Sequence, residues 1–324
     1  MQGTSVKSPI PAETADRPVS AFLDWSANAI RGALVWPNRI SLLVGAAALV
    51  VMMGITVADV VLRNLMSIVV PGGMEMTGLL TILVVLSTLG LVEIEKNHIR
   101  VDLVLRMLPE FVRIPTNAGG LLLALVMMVI TAAQILKQVS YLKHNEIVTG
   151  LLGVPEWPFV LAAAVFVALF ALALLANLFN ALARVARSRD VRSVLIVLAW
   201  AAVAGAIFAL SFYPKALPFD LSRELRGILS IGLCFVLIFL GVHVAAAMAV
   251  TALIGISLLI GPAASLTSLG TTTIDVVSDQ TWSVVPLFVW MGLIVVASGF
   301  AEELYRAAYR WIGHLPGGLA SAST

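Results

Sequence analysis

From Gly227 to Ile274 the chain runs without a single Asp, Glu, Lys or Arg. At about 1.5 Å of rise per residue, one helix of that length would reach about 70 Å, more than twice the roughly 30 Å of a bilayer's hydrocarbon. No water-soluble fold hides so long an uncharged run easily, and one crossing of a membrane does not use it up. The segment therefore reads as two helices, divided at Gly241-Val242-His243, where glycine permits a tight reversal. In hydrocarbon each backbone N–H and C=O needs an internal partner, so the apolar runs are read as helices and not as open strands.

The rest of the chain agrees. Sixty per cent of the 324 residues are hydrophobic and 12 per cent are charged, against about 25 per cent charged in soluble domains. Windows with little or no charge predict an all-α polytopic membrane protein of about eight transmembrane helices plus interfacial helices. The spans are Ile40–Leu62, Met76–Val92, Thr116–Leu136, Pro158–Ala183, Ser193–Phe212, Gly227–Gly241, Val244–Gly261 and Val284–Gly299. Ile40–Leu62 is longer than a signal-peptide core and lacks a cleavage site, so it is expected to stay as the first span. Residues 1–39, with Pro9, Pro11 and Pro18, read as a polar, irregular cytoplasmic tail, disordered at its start.

Orientation follows from the basic residues of the connections. A cytoplasmic N-terminus places Lys7, Arg17, Arg31, Arg39, Lys96, Arg100, Arg106, Arg113, Arg184, Arg187, Arg189 and Arg192 inside. Outside stand only Arg63, Lys137, Lys143, Lys215, Arg223 and Arg226, twelve against six. Trp25, Trp36, Trp157, Trp200, Trp282 and Trp290 fall mostly near span ends, where amphipathic rings anchor at the headgroups, with packing between helices as the alternative for some of them.

Four segments are expected: the tail 1–39, a four-helix membrane part 40–189, a linker helix 190–220 introduced by the basic run Ala183–Arg192, and a final part 221–324. Ala301–Gly313 has charges and aromatic residues at helical spacing and reads as an interfacial helix. Pro316-Gly317-Gly318 then ends it, and the small residues beyond look like the opening of another element.

Ionisable groups inside a membrane are functional suspects by default, and few are present. Asp59 and Arg63 lie four apart on one helix face and can pair at a span end. Glu75 opens the second span, where a carboxylate suits the positive end of the helix dipole. Glu93–Asp102 is the densest polar cluster; His98 and Asp102 share a face there, but no third metal ligand is in view, so a charged interfacial helix is favoured. His243, at the proposed reversal, reads as a packed, hydrogen-bonded histidine. Leu266–Thr273 offers hydroxyls between two spans and reads as a surface loop, with an ion site as its rival. One cysteine, Cys234, excludes an internal disulfide or a cysteine metal cluster. There is no phosphate-cradling glycine loop, HExxH helix, GxSxG elbow or histidine pair for haem. Neither an enzyme nor a cofactor is expected, and a net charge of +2 gives no reason for a nucleic-acid partner.

Two stretches resemble the membrane subunits of tripartite ATP-independent periplasmic (TRAP) transporters. Gly90, then Asn97-His98-Ile99-Arg100-Val101-Asp102 and Leu108-Pro109, with Arg63 and Glu75 before them, resemble the small Q (DctQ-like) subunit. Val285-Pro286-Leu287-Phe288, Gly292, Gly299 and Gly313-His314-Leu315-Pro316-Gly317-Gly318-Leu319-Ala320 are similar to the start of the large M (DctM-like) subunit. In that family the place of Gly241-Val242-His243 more often holds Gly-x-Pro. The resemblance implies an inner-membrane secondary transporter importing organic acids, often dicarboxylates, on a sodium gradient, with substrate delivered by a soluble periplasmic binding protein. It assigns bracing to Q and the substrate and sodium sites to M, beyond the Pro-Gly-Gly-Leu-Ala stretch. The final part is thus expected to be a truncated, N-terminal portion of M, and no substrate-binding residue is assigned. The rival expectation is a non-transporting scaffold that braces a separate transport subunit.

Overall fold

A computed structural model describes residues 18–95, 107, 109–188, 190–212 and 222–312. Its helices, in chain order, are α1 (Pro18–Met66), α2 (Gly73–Ser87), α3 (Leu89–Ile94), α4 (Glu110–His144), α5 (Trp157–Ser188), α6 (Val191–Phe212), α7 (Arg223–Phe239), α8 (Val244–Ile260), α9 (Pro262–Ser278), α10 (Gln280–Ala297) and α11 (Phe300–Ile312). Among the described residues the sole β feature is an isolated bridge between Val148 and Pro155. Val19–Met66, Gly73–Ile94, Glu110–His144, Trp157–Ser188 and Gln280–Ala297 are long and apolar enough to cross a bilayer, and Val191–Ala206 and Val244–Ile260 are shorter apolar helices. The chain is all-α and polytopic.

Three expectations need correction. The tail 1–39 is not irregular throughout, because α1 is already helical from Pro18. Ser20, Ala27, Leu34, Asn38 and Ser41 are all buried and recur every three to seven residues, a stripe that gives the helix a face to pack although the segment carries charges elsewhere. Pro37 sits inside α1, and the Asn38 amide donates to the Leu34 carbonyl at 3.0 Å in the turn the proline disturbs. Leu266–Thr273 is not a loop but the middle of α9. Thr267 turns its hydroxyl back on its own helix, to the Ala263 carbonyl at 2.9 Å, and so is satisfied without leaving helical geometry. The basic run Ala183–Arg192, expected to be a linker, is instead helical to Ser188 as the end of α5, and α6 begins at Val191.

The helices group into two compact units. The first takes the described residues within 1–39, 89–134 and 164–270. Its core is built from buried Ala118, Leu121 and Met127 of α4, Leu174 and Leu178 of α5, and Val250 and Leu253 of α8. Lipid tails are as apolar as leucine, so helices in membranes associate through close packing at small residues more than through hydrophobicity. Gly119 shows the rule: a Cβ there would stand 2.2 Å from the indole of Trp200 on α6. Trp200, only 9 % exposed, is therefore a packing residue and not a headgroup anchor. Gly90 does the same for the Asn38 side chain, which lies 2.2 Å from its virtual Cβ.

The second unit takes the described residues within 40–88, 135–163 and 271–324. Ala48, Met52 and Leu80 are its core, with Ile55, Phe159 and Leu287 packed around them. Gly45 lies against Ser87, whose carbonyl accepts from the Ser41 hydroxyl at 2.8 Å. Gly78 passes the Ser278 carbonyl so closely that a Cβ would stand 2.5 Å from that oxygen. Asp279 caps α10 by accepting the Thr281 N–H at 2.9 Å. In α11 Glu302 pairs with Arg306 at 2.9 Å on one face, while Phe300, Leu304 and Trp311 are exposed, an amphipathic pattern that suits an interface.

Gly119→Ala should push Trp200 from its seat and lower stability by about 1–3 kcal/mol through overpacking; Trp200→Ala should cost more, about 3–5 kcal/mol, by leaving a cavity. Melting of the detergent-solubilised chain checks both. The Asp279 carboxyl is held below its ordinary value by the Thr281 N–H and then the Thr281 side chain, against a smaller opposing effect of burial. A depressed carboxyl contributes fully above its unfolded pKa of about 3.9 and loses that contribution as pH falls through the lower folded value. Hydrogen exchange at the Thr281 N–H, corrected for its intrinsic rate, should therefore quicken below about pH 4, and this acid response should vanish in Asp279→Asn.

Candidate functional site

Two polar features stand out from the apolar packing, one in each unit. In the second unit, Gly72 adopts φ 68° at the head of α2, a left-handed geometry that glycine takes without strain. The turn aims Glu75 at the loop between α4 and α5, where its carboxylate accepts the Leu151 N–H at 2.9 Å and the Leu152 N–H at 3.2 Å. That loop is closed on itself by Thr149 N–H to Val154 C=O at 2.9 Å and Val154 N–H to the Thr149 hydroxyl at 3.1 Å. Glu75 thus does more than face a helix dipole: it fastens a loop far away in sequence to the start of α2. Beside it lies a cavity of about 230 Å³, lined by Glu75, Gln138, Thr149, Glu156, Asp275 and Ser278 among others. Its lining includes three carboxylates and no Lys or Arg, a field that repels anions.

Near the end of α1 in the same unit, Arg63 pairs with Asp59 as the four-residue spacing suggests. Asp59 also accepts the Val70 N–H at 3.0 Å, so the pair shapes the connection into α2.

The first unit holds a buried polar chain. Glu93 of α3 has no exposed surface. Asn177 of α5 donates through Nδ2 to the Glu93 carboxylate at 2.8 Å and to its main-chain carbonyl at 2.9 Å. The Asn177 carbonyl oxygen in turn accepts from the Arg31 guanidinium of α1 at 2.6 Å. On the other side, His243 Nε2 stands 3.9 Å from Glu93 Oε2. Gly241, at φ 77°, makes the reversal between α7 and α8 that presents His243. The expected split of the long uncharged run falls where the structure turns.

Of the other residues singled out, Gly90 seats Asn38. Pro109 precedes α4, and its carbonyl accepts the N–H groups of Val112 at 3.0 Å and Arg113 at 3.1 Å. Pro286 lies inside α10 and Gly292 is exposed on it. His98, Arg100, Asp102, Pro316, Gly317 and Gly318 lie outside the described residues. Among the described residues no three His, Cys, Asp or Glu come together to hold a metal. Glu93, Asn177 and Arg31 were not assigned a site in the sequence. The available signal was polarity alone: a carboxylate ending the second span and an amide within the fourth.

A bundle of membrane-crossing helices with one buried charge chain and one anchored loop defines a multi-pass membrane protein. Residues 52–184 match the model of the tripartite ATP-independent periplasmic transporters, DctQ component, and residues 231–324 that of the DctM component. No curated protein matches the chain. The chain belongs to the TRAP transporter family and carries a DctQ region and a DctM region in one polypeptide. Membership implies an inner-membrane setting and a periplasmic binding protein as partner.

Replacing Glu75 with Gln should weaken the acceptor that holds the α4–α5 loop. Exchange at the Leu151 and Leu152 N–H groups should then rise while that of α5 amides stays unchanged, as exchange mass spectrometry would report.

Proposed function

We propose that this chain is the membrane component of a secondary transporter that imports organic acids, dicarboxylates or similar carboxylates, on a sodium gradient. The observation that carries it is the presence of DctQ and DctM regions in one chain. The DctQ region would brace the DctM region, and a periplasmic solute-binding protein would deliver the substrate. The basic-residue bias supports a cytoplasmic N-terminus. The cavity beside Glu75 is unsuited to a carboxylate solute, since its ionisable lining is acidic. The solute path therefore lies elsewhere in the DctM region than at that cavity, which Asp275 and Ser278 help to line. The polar chain around Glu93 likewise serves packing, because its members bond to one another.

Proteoliposomes carrying this chain, with and without a DctM subunit supplied separately, test the proposal. Radiolabelled dicarboxylate presented on a periplasmic solute-binding protein should enter only with an inward sodium gradient and only when this chain is present. Uptake indifferent to sodium would refute the coupling. Capture of the binding protein with no uptake in either preparation would show a scaffold instead.

A further inference from the structure

At Glu93 the DctQ region meets a turn of the DctM region. The uncharged run Gly227–Ile274 contains one histidine, His243, and no other charged or basic side chain. It is this residue that stands 3.9 Å from the buried Glu93 carboxylate. Beside it, Val242 is fully buried, with its Cα 3.4 Å from where a Cβ on Gly120 of α4 would lie. The turn thus packs on α4 at ordinary van der Waals distance, with Glu93 and His243 standing opposite one another next door.

We infer that the Leu240–His243 turn is a docking plug that registers the α7–α8 hairpin on the DctQ bundle, with Glu93 and His243 as its specificity-determining pair. Apolar packing cannot set this register by itself, because a helix face covered by lipid is nearly as well solvated as one covered by another helix. A slip of the hairpin by one helical turn, about 5.4 Å, changes little for α7 and α8 as apolar surfaces. It would, however, face the Glu93 carboxylate with apolar wall, and a buried charge that loses its polar surroundings is strongly destabilising. Asn177 grips both the carboxylate and the main chain of Glu93, and Arg31 holds Asn177. The acceptor is therefore held by groups that do not belong to the plug. Wrong registers are rejected by a misplaced charge, and the right one returns His243 to it. The inference rests on the two family regions and is independent of the transport reading.

A double-mutant cycle on the full chain in detergent tests it. Glu93→Gln and His243→Gln should each lower the melting temperature by roughly 5–10 °C, and the double variant by no more than the larger single loss. His144→Gln, at an exposed position, should change nothing. In a Cys234→Ser background, Val242→Cys should resist N-ethylmaleimide, and adding Glu93→Gln should speed labelling at least about tenfold. Where Glu93→Gln does not accumulate, Glu93→Asp gives the same labelling readout. Additive melting losses, or labelling no faster in the Glu93 variant than in its parent, would overturn the proposal.

Discussion

A carboxylate with no exposed surface, set in a chain whose solvent is lipid, needs its polar environment supplied by protein. Glu93 obtains it from three other elements at once: Arg31 of α1 acting through Asn177 of α5, and His243 from the turn between α7 and α8. Each partner lies far away in sequence, so satisfying the one charge ties together parts of the chain that share no local contact. The cost of burying it becomes a condition on the packing of the whole unit, since displacement of any member strips a partner from a group that water cannot reach.

Around that condition the remaining structure is assembled by removing atoms. Gly119 admits Trp200 and Gly90 admits Asn38 in the first unit, while Gly45 and Gly78 admit Ser87 and the Ser278 carbonyl in the second. Lipid offers no hydrophobic advantage to bringing helices together, and close approach supplies the dispersion that replaces it. The two units differ in their polar logic. The first uses a buried chain of side chains; the second uses an acidic residue, Glu75, to hold main-chain N–H groups of a loop.

Much of this was legible in the chain because the membrane narrows the choices. Uncharged length gave the helices, and Gly241-Val242-His243 gave the reversal, since glycine takes the left-handed φ that a tight turn needs. Asp59 and Arg63 were visible as a pair because their spacing is local. The α9 hydroxyls misled, for a threonine bonded to its own helix has the same letters as one in a loop. The start of α1 was hidden by its charges, whose face does not decide where the stripe from Ser20 to Ser41 packs. Most hidden of all was the meeting of Glu93 with Asn177, 84 residues apart: polarity is the one signal either residue carries, and periodicity carries no information about which helix a buried group faces. Glu75 was seen as a dipole partner and not as a loop anchor for the same reason.

The family assignment gives the architecture its meaning, a DctQ region and a DctM region in one chain, and the physical account adds how the two are joined within one compact unit. Oxidative cross-linking in native membranes measures that joint most directly. With Cys234→Ser as background, Gly120→Cys paired with Val242→Cys should form a disulfide that peptide mass spectrometry detects, whereas Gly120→Cys paired with Ile231→Cys, an exposed position on α7, should not. Failure of the first pair to link, or equal linking of both, would contradict the seating of the DctM turn in the DctQ bundle.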